Sequence, residues 1–391
     1  MIYLDNAATS FPKPPAVAAA MGDALANAAG NPGRSGHALA VAAQRVVSDA
    51  RRRLASLLGA PDPARVVFAL NATDALNLAL WGVLRPGDRV VTTSLEHNAV
   101  VRPLAALAER GVTVARARCG PDGALDLDDL ARTLASAPTR LVAMVHASNV
   151  SGTLLPAREA AALAHAHGAL FLLDAAQTAG AIPIDVADLG ADLVAFPGHK
   201  ALLGPTGTGG LYVAPGLALA PLRQGGTGTR SELERQPPEL PEALEAGTLN
   251  TVGIAGLGAA LGVLAEVGVE RIRAREEALT ARLLAGLRET RGVRVHGPAD
   301  ARRRVGTVSL TLSGWDPADL AAALDGSFGI AARAGLHCAP WAHRTLGTLP
   351  DGTLRLSLGC FTTEADVDRA ISALGELACA ARAPGSDSRR G

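Results

Sequence analysis

Short apolar runs alternate along most of the chain with longer stretches in which Ala and Leu recur at helical spacing. The runs at 66–70, 89–93, 112–117, 141–146, 169–173, 193–196 and 211–213 have strand length and end in polar or glycine-rich turns. Between them, 75–84, 101–110, 127–135 and 157–167 read as helices. This alternation predicts β-α-β units: an α/β fold whose large domain has a mostly parallel seven-stranded sheet flanked by helices. Open sheets of that kind bind ligands at the carboxyl ends of their strands. Asn71, His97 and Asp174 all fall just after a strand or at its end.

Beyond about residue 258 the texture changes. A long helix with charged faces is expected over 261–289, then a strand at 305–312 and a helix at 317–324. A loop rich in Gly, His, Cys and Pro follows, then a strand at 353–358 and a closing helix at 364–380. This reads as a smaller α+β C-terminal domain. The expected division is 1–15 as an N-terminal segment, 16–258 as the large domain, 259–382 as the small domain, and 383–391 as a disordered Pro/Gly/Ser/Arg-rich tail.

Composition narrows the function classes. With 391 residues the chain has room for roughly two domains and a large core. Hydrophobic residues make up 48%, much of it Ala, and aromatics 3%, so the core is aliphatic. The 37 basic and 37 acidic side chains cancel, which gives no reason to expect nucleic acid or an anionic membrane as partner. No apolar run approaches the ~20 residues of a membrane span. Met1-Ile2-Tyr3-Leu4-Asp5 shows no basic leader before an apolar stretch. Cys119, Cys338, Cys360 and Cys379 form no Cys-x-x-Cys pair, so neither a disulfide scaffold nor a zinc motif is expected. The simplest expectation is a cytoplasmic protein.

Lys200 ends the stretch Phe196-Pro197-Gly198-His199-Lys200 and precedes the glycine-rich run 204–210. Asp174 lies upstream at a strand end. That pairing suits pyridoxal phosphate: the amine forms a Schiff base, and the carboxylate pairs with the ring nitrogen. Alone, such a lysine is more often a solvated charge. Asn71-Ala72-Thr73-Asp74 opens a helix after a strand, so its backbone N–H groups and the Thr73 hydroxyl suit an anion. The same four residues read equally well as an ordinary N-cap. His97 could stack on a flat ring and shuttle protons, or simply be solvated. Asn149 and Gln177 could reach a ring hydroxyl, or form turns.

Cys338 has Arg333, His337 and His343 nearby in sequence, which would favour the thiolate. Gly335 and Pro340 suggest that its loop is mobile. The other three cysteines read as buried, inert thiols. Arg355 sits between Leu354 and Leu356, so it either grips a substrate carboxylate or makes a structural ion pair.

Taken in order, several stretches resemble the cysteine desulfurase and selenocysteine lyase branch of the class V aminotransferase family. They are Tyr3-Leu4-Asp5-Asn6-Ala7-Ala8-Thr9, 71–77, Glu96-His97, 146–153, 174–177, Gly198-His199-Lys200, Glu245-Ala246-Gly247-Thr248, 335–339 and 355–357. The resemblance implies a pyridoxal phosphate-dependent transferase fold of type I. It implies that Lys200 carries the cofactor, Asp174 meets its ring nitrogen, His97 stacks on it, and Gln177 and Asn149 meet its hydroxyl. Thr73, Ala72 and His199 would hold the phosphate, and Thr248 the phosphate of a neighbouring subunit, which implies a homodimer. Arg355 would bind the substrate carboxylate. Asn6, Ala8 and the stretch 34–37 would lie near the substrate, with 1–15 packed near the active site. Two departures are visible: Pro197 where many relatives have a serine, and Leu336 where some have a histidine.

The implied reaction converts L-cysteine to L-alanine. Lys200 moves the Cα proton, the Cys338 thiolate takes the sulfur as a persulfide, and a sulfur-acceptor protein receives it. The expected rivals are selenocysteine lyase, cysteine sulfinate desulfinase or transaminase chemistry on the same scaffold, and a cofactor-binding regulator without activity.

Overall fold

The computed structural model describes residues 1–33 and 35–380; Arg34 and 381–391 lie outside the described residues, and with them the tail expected at 383–391. All seven expected runs form one sheet, their ends moved by one or two residues. The spatial order is Val66–Ala69, Gly209–Val213, Leu193–Pro197, Leu170–Asp174, Leu141–Val145, Arg89–Thr93 and Thr113–Ala117. From Leu193–Pro197 to Thr113–Ala117 every neighbour is parallel; only Gly209–Val213 runs against its two neighbours.

Val66–Ala69, Leu141–Val145, Leu193–Pro197 and Gly209–Val213 are buried at every position. Such strands have helices over both faces, so their sequence shows an unbroken apolar run instead of alternation. One face packs Val47, Leu54, Phe171 and Leu257, and the other packs Leu76, Leu80, Val100 and Leu104.

The second sheet has four antiparallel strands, ordered Arg333–Gly335, Thr353–Ser357, Thr307–Leu312 and Val293–His296. Its core is shared with the helices Val269–Glu289, Pro317–Phe328 and Glu364–Ala380. The long helix expected at 261–289 is two helices, Thr251–Val267 and Val269–Glu289, bent by 76°. Gly268 makes the break at φ 84°, a left-handed conformation that any other residue would resist. The bend carries the chain off the helices Pro15–Asn27 and Ala38–Leu57, on which Thr251–Val267 packs, and toward the second sheet. Those two N-terminal helices, and the short strands Val293–His296 and Arg333–Gly335, were not expected from the pattern. Among the described residues no single helix is long and apolar enough to cross a membrane.

The first residues stitch the two sheets together. Ile2–Tyr3 pairs with Ile330–Ala331, and Ala7 N–H donates to Ser357 Oγ at 2.9 Å. Ser10 N–H donates to the His199 carbonyl at 3.1 Å. Arg304 is a second rivet. It is fully buried without a carboxylate partner, and its guanidinium donates to the carbonyls of Ser151 (2.6 Å), Pro298 (2.6 Å) and Thr307 (2.8 Å). Burial alone lowers its pKa to about 9. Replacing it strands several buried acceptors at ~1–3 kcal/mol each. Arg304→Ala is therefore expected to lose about 3 kcal/mol or more in urea unfolding followed by circular dichroism.

Candidate active site

A strand-turn-strand unit presents Lys200. Leu193–Pro197 ends, the chain turns through 198–208, and Gly209–Val213 returns alongside. Gly198 N–H donates to the Thr208 carbonyl and Gly204 N–H to the Gly198 carbonyl, both at 2.8 Å. A Cβ at Gly198 would collide with Thr208 Oγ1, so this position admits only glycine. The His199 carbonyl accepts from Lys13 Nζ at 2.7 Å, Thr9 Oγ1 at 3.0 Å and Ser10 Oγ at 3.3 Å. The lysine is thus mounted on a turn fixed at both ends. Pro197, which has no N–H, closes the strand opposite Gly209.

Lys200 lines a cavity of about 280 Å³ at the carboxyl ends of the strands. Asn71, Ala72, Thr73, His97, Asn149, Asp174, Gln177 and His199 line it too. Burial lowers the Lys200 pKa to about 8, Asp174 pulling the other way. Burial raises the Asp174 pKa, against a hydrogen bond from Ala176 N–H (2.9 Å) and the charge of Lys200. Neither group has an ion pair among the described residues.

The anion turn forms as expected. The helix Ala72–Val83 starts at once after its strand, with Asn71 Oδ1 accepting from Asp74 N–H at 3.0 Å. That bond leaves the N–H groups of Ala72 and Thr73 for another acceptor. Asp74, a negative charge in this first turn, is gripped by Arg223 at 2.7 and 3.1 Å. The buried Nδ1 of His199 has no hydrogen-bond partner.

His97 caps the helix Asn98–Ala108 and accepts from Ala99 N–H through Nδ1 at 3.0 Å, which leaves its proton on Nε2. Burial, then the charge of Lys200, lowers its pKa to about 4, so the ring is neutral at pH 7. Beside it Glu96 is wholly buried and burial raises its pKa to about 8; Oε1 accepts from Thr93 Oγ1 and Val145 N–H. Gln177 Nε2 donates to Ala7 O at 3.1 Å, which leaves a second N–H for a ring oxygen.

Arg355 makes an ion pair in this structure and keeps one donor to spare. It is 1% exposed, with one amine on Asp5 Oδ1 at 2.6 Å and the other on Asn149 O at 3.0 Å. Its Nε is buried without a partner, which leaves an N–H for a carboxylate.

Cys338 is exposed and sits on a tight turn. His337 and Cys338 are both left-handed, at φ 50° and 56°. Asn149 Nδ2 donates to the His337 carbonyl (2.7 Å) and Asn98 N–H to the Cys338 carbonyl (2.8 Å), so the turn is tied to the rim of the cavity. His337 and His343 face each other at 3.3 Å, and burial lowers them to about 3 and about 4, so neither is charged at pH 7.

Three further groups of expected residues lie outside this cavity. Thr248 is exposed and outside this cavity, with Asn31 Nδ2 donating to it at 3.4 Å. Asn6 spends its amide on Tyr3 O, Ser357 O and Phe11 N–H, and it and Ala8 are absent from the cavity wall. His37 is an exposed N-cap for Ala38–Leu57, and Arg34 lies outside the described residues. Sequence reasoning missed Arg223, Lys13 and the Asp5–Arg355 pair. A lone arginine or lysine in a loop carries no signal; Asp5 stood inside a recognised stretch without a role.

The aminotransferase class-V family profile matches residues 2–370. A probable cysteine desulfurase from Methanothermobacter thermautotrophicus is 35% identical over 384 residues, covering 96% of this chain and 94% of that protein. A cysteine desulfurase from Haloferax volcanii is 35% identical over 384 residues, covering 96% and 88%. Among solved structures, the apo cysteine desulfurase of Thermococcus onnurineus NA1 superposes with a TM-score of 0.92 at 34% identity, covering 97% of this chain and 95% of that one. The cysteine desulfurase CsdA (S-sulfonic acid) of Escherichia coli gives 0.86 at 31% identity, covering 97% and 94%. This chain belongs to the class V aminotransferase family, whose members use pyridoxal phosphate.

The residues present fit that cofactor. An unpaired buried acid suits a pyridinium, an unpartnered imidazole nitrogen and two open N–H groups suit a phosphate, and a lysine of lowered pKa suits an aldehyde. The Lys200 amine attacks the aldehyde only when unprotonated. The rate of cofactor capture by the cofactor-free protein should therefore rise with pH and level off near 8, where Lys200 titrates. Stopped-flow absorbance checks this; a rate still climbing through ~10, the ordinary lysine value, contradicts it.

Proposed function

We propose that this chain is a pyridoxal phosphate-dependent cysteine desulfurase, converting L-cysteine to L-alanine and holding the released sulfur on Cys338 for an acceptor protein. One observation carries the reading. A free thiol stands on a turn hydrogen-bonded to the rim of the cavity that holds Lys200, Asp174 and His97.

Bound in that cavity, pyridoxal phosphate supplies a carbonyl carbon for the substrate amine and a ring that accepts the electrons left at carbon. Thr73, Ala72 and His199 hold its phosphate, Asp174 meets the ring nitrogen, His97 lies against the ring, and Gln177 and Asn149 reach the hydroxyl. The Nε of Arg355 offers its N–H to the substrate carboxylate. Lys200, once released, takes the Cα proton. The Cys338 thiolate forms a bond to the substrate sulfur as the carbon–sulfur bond breaks, and the carbon takes a proton and departs as alanine. His97 and Lys200 move those protons, each oriented transfer worth ~10²–10⁴ in rate.

Thr248, exposed and remote from its own cavity, serves the phosphate of a second copy, so the working unit is a homodimer. A cytoplasmic setting belongs to the same reading, since Cys338 has to remain a thiol between turnovers.

The test is incubation with L-cysteine and a reductant, with sulfide and alanine measured together. Equal yields are expected. Cys338→Ala should lower both by roughly 10²-fold or more, as loss of a nucleophile does. A keto acid in place of alanine would make the chain a transaminase. Sulfide release untouched in Cys338→Ala would move the reading to a lyase acting on selenocysteine or cysteine sulfinate.

A further inference from the structure

Lys200 and Gln177 line a second cavity as well as the first. It lies between the Lys200 turn and the small domain, and its wall also holds Asn6, Ser10, Glu276 and Cys360. At about 40 Å³ it has room for roughly three waters. The feature without an explanation is Glu276, on the helix Val269–Glu289. It is 5% exposed, lines this cavity, and its carboxyl has no hydrogen-bond partner among the described residues. Gly306 leaves room beside it; a Cβ there would lie 3.4 Å from Glu276 Oε2.

Among the described residues no cation forms an ion pair with this carboxyl, though the charge of Arg273 acts on it. Arg273 donates to Arg304 O at 2.6 Å and pairs with Glu277 at 3.3 Å, and Arg275 donates to Thr362 O at 2.9 Å. The Cys360 thiol is pushed up by burial and by Glu276 itself, so it is uncharged at neutral pH. A buried carboxyl without partner is costly unless it binds water or a proton. Burial accordingly raises its pKa to about 8, against the charge of Arg273, and burial lowers that of Lys200, on the wall of the same chamber, to about 8. Groups of matched affinity exchange a proton in either direction at little cost.

We propose that Glu276, through waters held in this chamber, exchanges protons with the Lys200 amine and connects that base to solvent. Glu276 is a positioning residue that acts through Lys200 and touches neither substrate nor cofactor. The inference rests on the reading of Lys200 as the group that takes the Cα proton. After that step Lys200 is an ammonium. It gives one proton to a chamber water, that water gives one to one oxygen of the Glu276 carboxyl as the other oxygen releases its proton toward solvent, and the reverse sequence returns a proton of solvent origin. Only N–H and O–H bonds form and break, and no electrons change hands.

The experiment supplies L-cysteine deuterated at Cα to the full-length, cofactor-loaded protein and measures deuterium retained in the alanine. Wild type should lose most of the label to solvent. Glu276→Gln, close in shape, should retain roughly threefold more or higher, since a proton donor of matched pKa is worth ~10²–10⁴ in transfer. Glu276→Asp should restore part of the loss, which a purely structural role would not predict. Equal retention in wild type and Glu276→Gln overturns the proposal while leaving the desulfurase reading intact. No alanine from wild type overturns both. Independently of turnover, infrared spectra of the cofactor-free protein should show a carboxylic acid band that shifts in D2O and is missing in Glu276→Gln; its absence in wild type also overturns the proposal.

Discussion

The site depends on keeping an amine and a carboxyl out of water without letting them neutralise each other. Lys200 and Asp174 share one cavity, and each is driven by desolvation toward its uncharged form. In bulk water both would be charged and inert. With Asp174 buried and Lys200 half-buried, neither has an ion-pair partner among the described residues, and a ligand with a carbonyl carbon at one end and a protonatable ring nitrogen at the other satisfies both. His97, also held neutral by burial, adds no competing charge between them.

Holding that arrangement requires a frame with little slack. Four groups from the first thirteen residues converge on the His199 carbonyl: the Ser10 N–H and the side chains of Thr9, Ser10 and Lys13. The same segment pairs with the small domain through Ile2–Tyr3 and Asp5. One short stretch therefore sets the lysine turn and the arginine strand relative to each other. A second brace, Arg51 to Glu245 at 2.7 and 2.8 Å, fixes the stretch that leads to Thr248.

The large sheet was legible because its strands are apolar without interruption, as strands covered on both faces must be, and its turns are marked by Gly, Asn and Asp. The cavity residues were legible for the same reason: strand ends in a parallel sheet point to one edge. What escaped was whatever depends on distance in space. The periodicity of 251–289 runs straight through Gly268, and only the left-handed φ of 84° reveals the break. His337 and His343 looked like a positive environment because sequence proximity does not show that they face each other, neutral, at 3.3 Å. Arg355 was correctly seen as a buried charge needing an acceptor, but nothing local named Asp5, 350 positions away.

The turn that carries Cys338 has a consequence for the proposed departure of sulfur from it. Two successive left-handed residues, bonded through their carbonyls to Asn149 and Asn98, form a pedestal. A loose loop could swing its cargo across the surface to a distant recipient. A pedestal offers a reach of one side chain plus one sulfur–sulfur bond, about 2 Å more. On the proposed reading, delivery from such a post is hand to hand: a recipient would have to bring its own thiol into the mouth of the cavity.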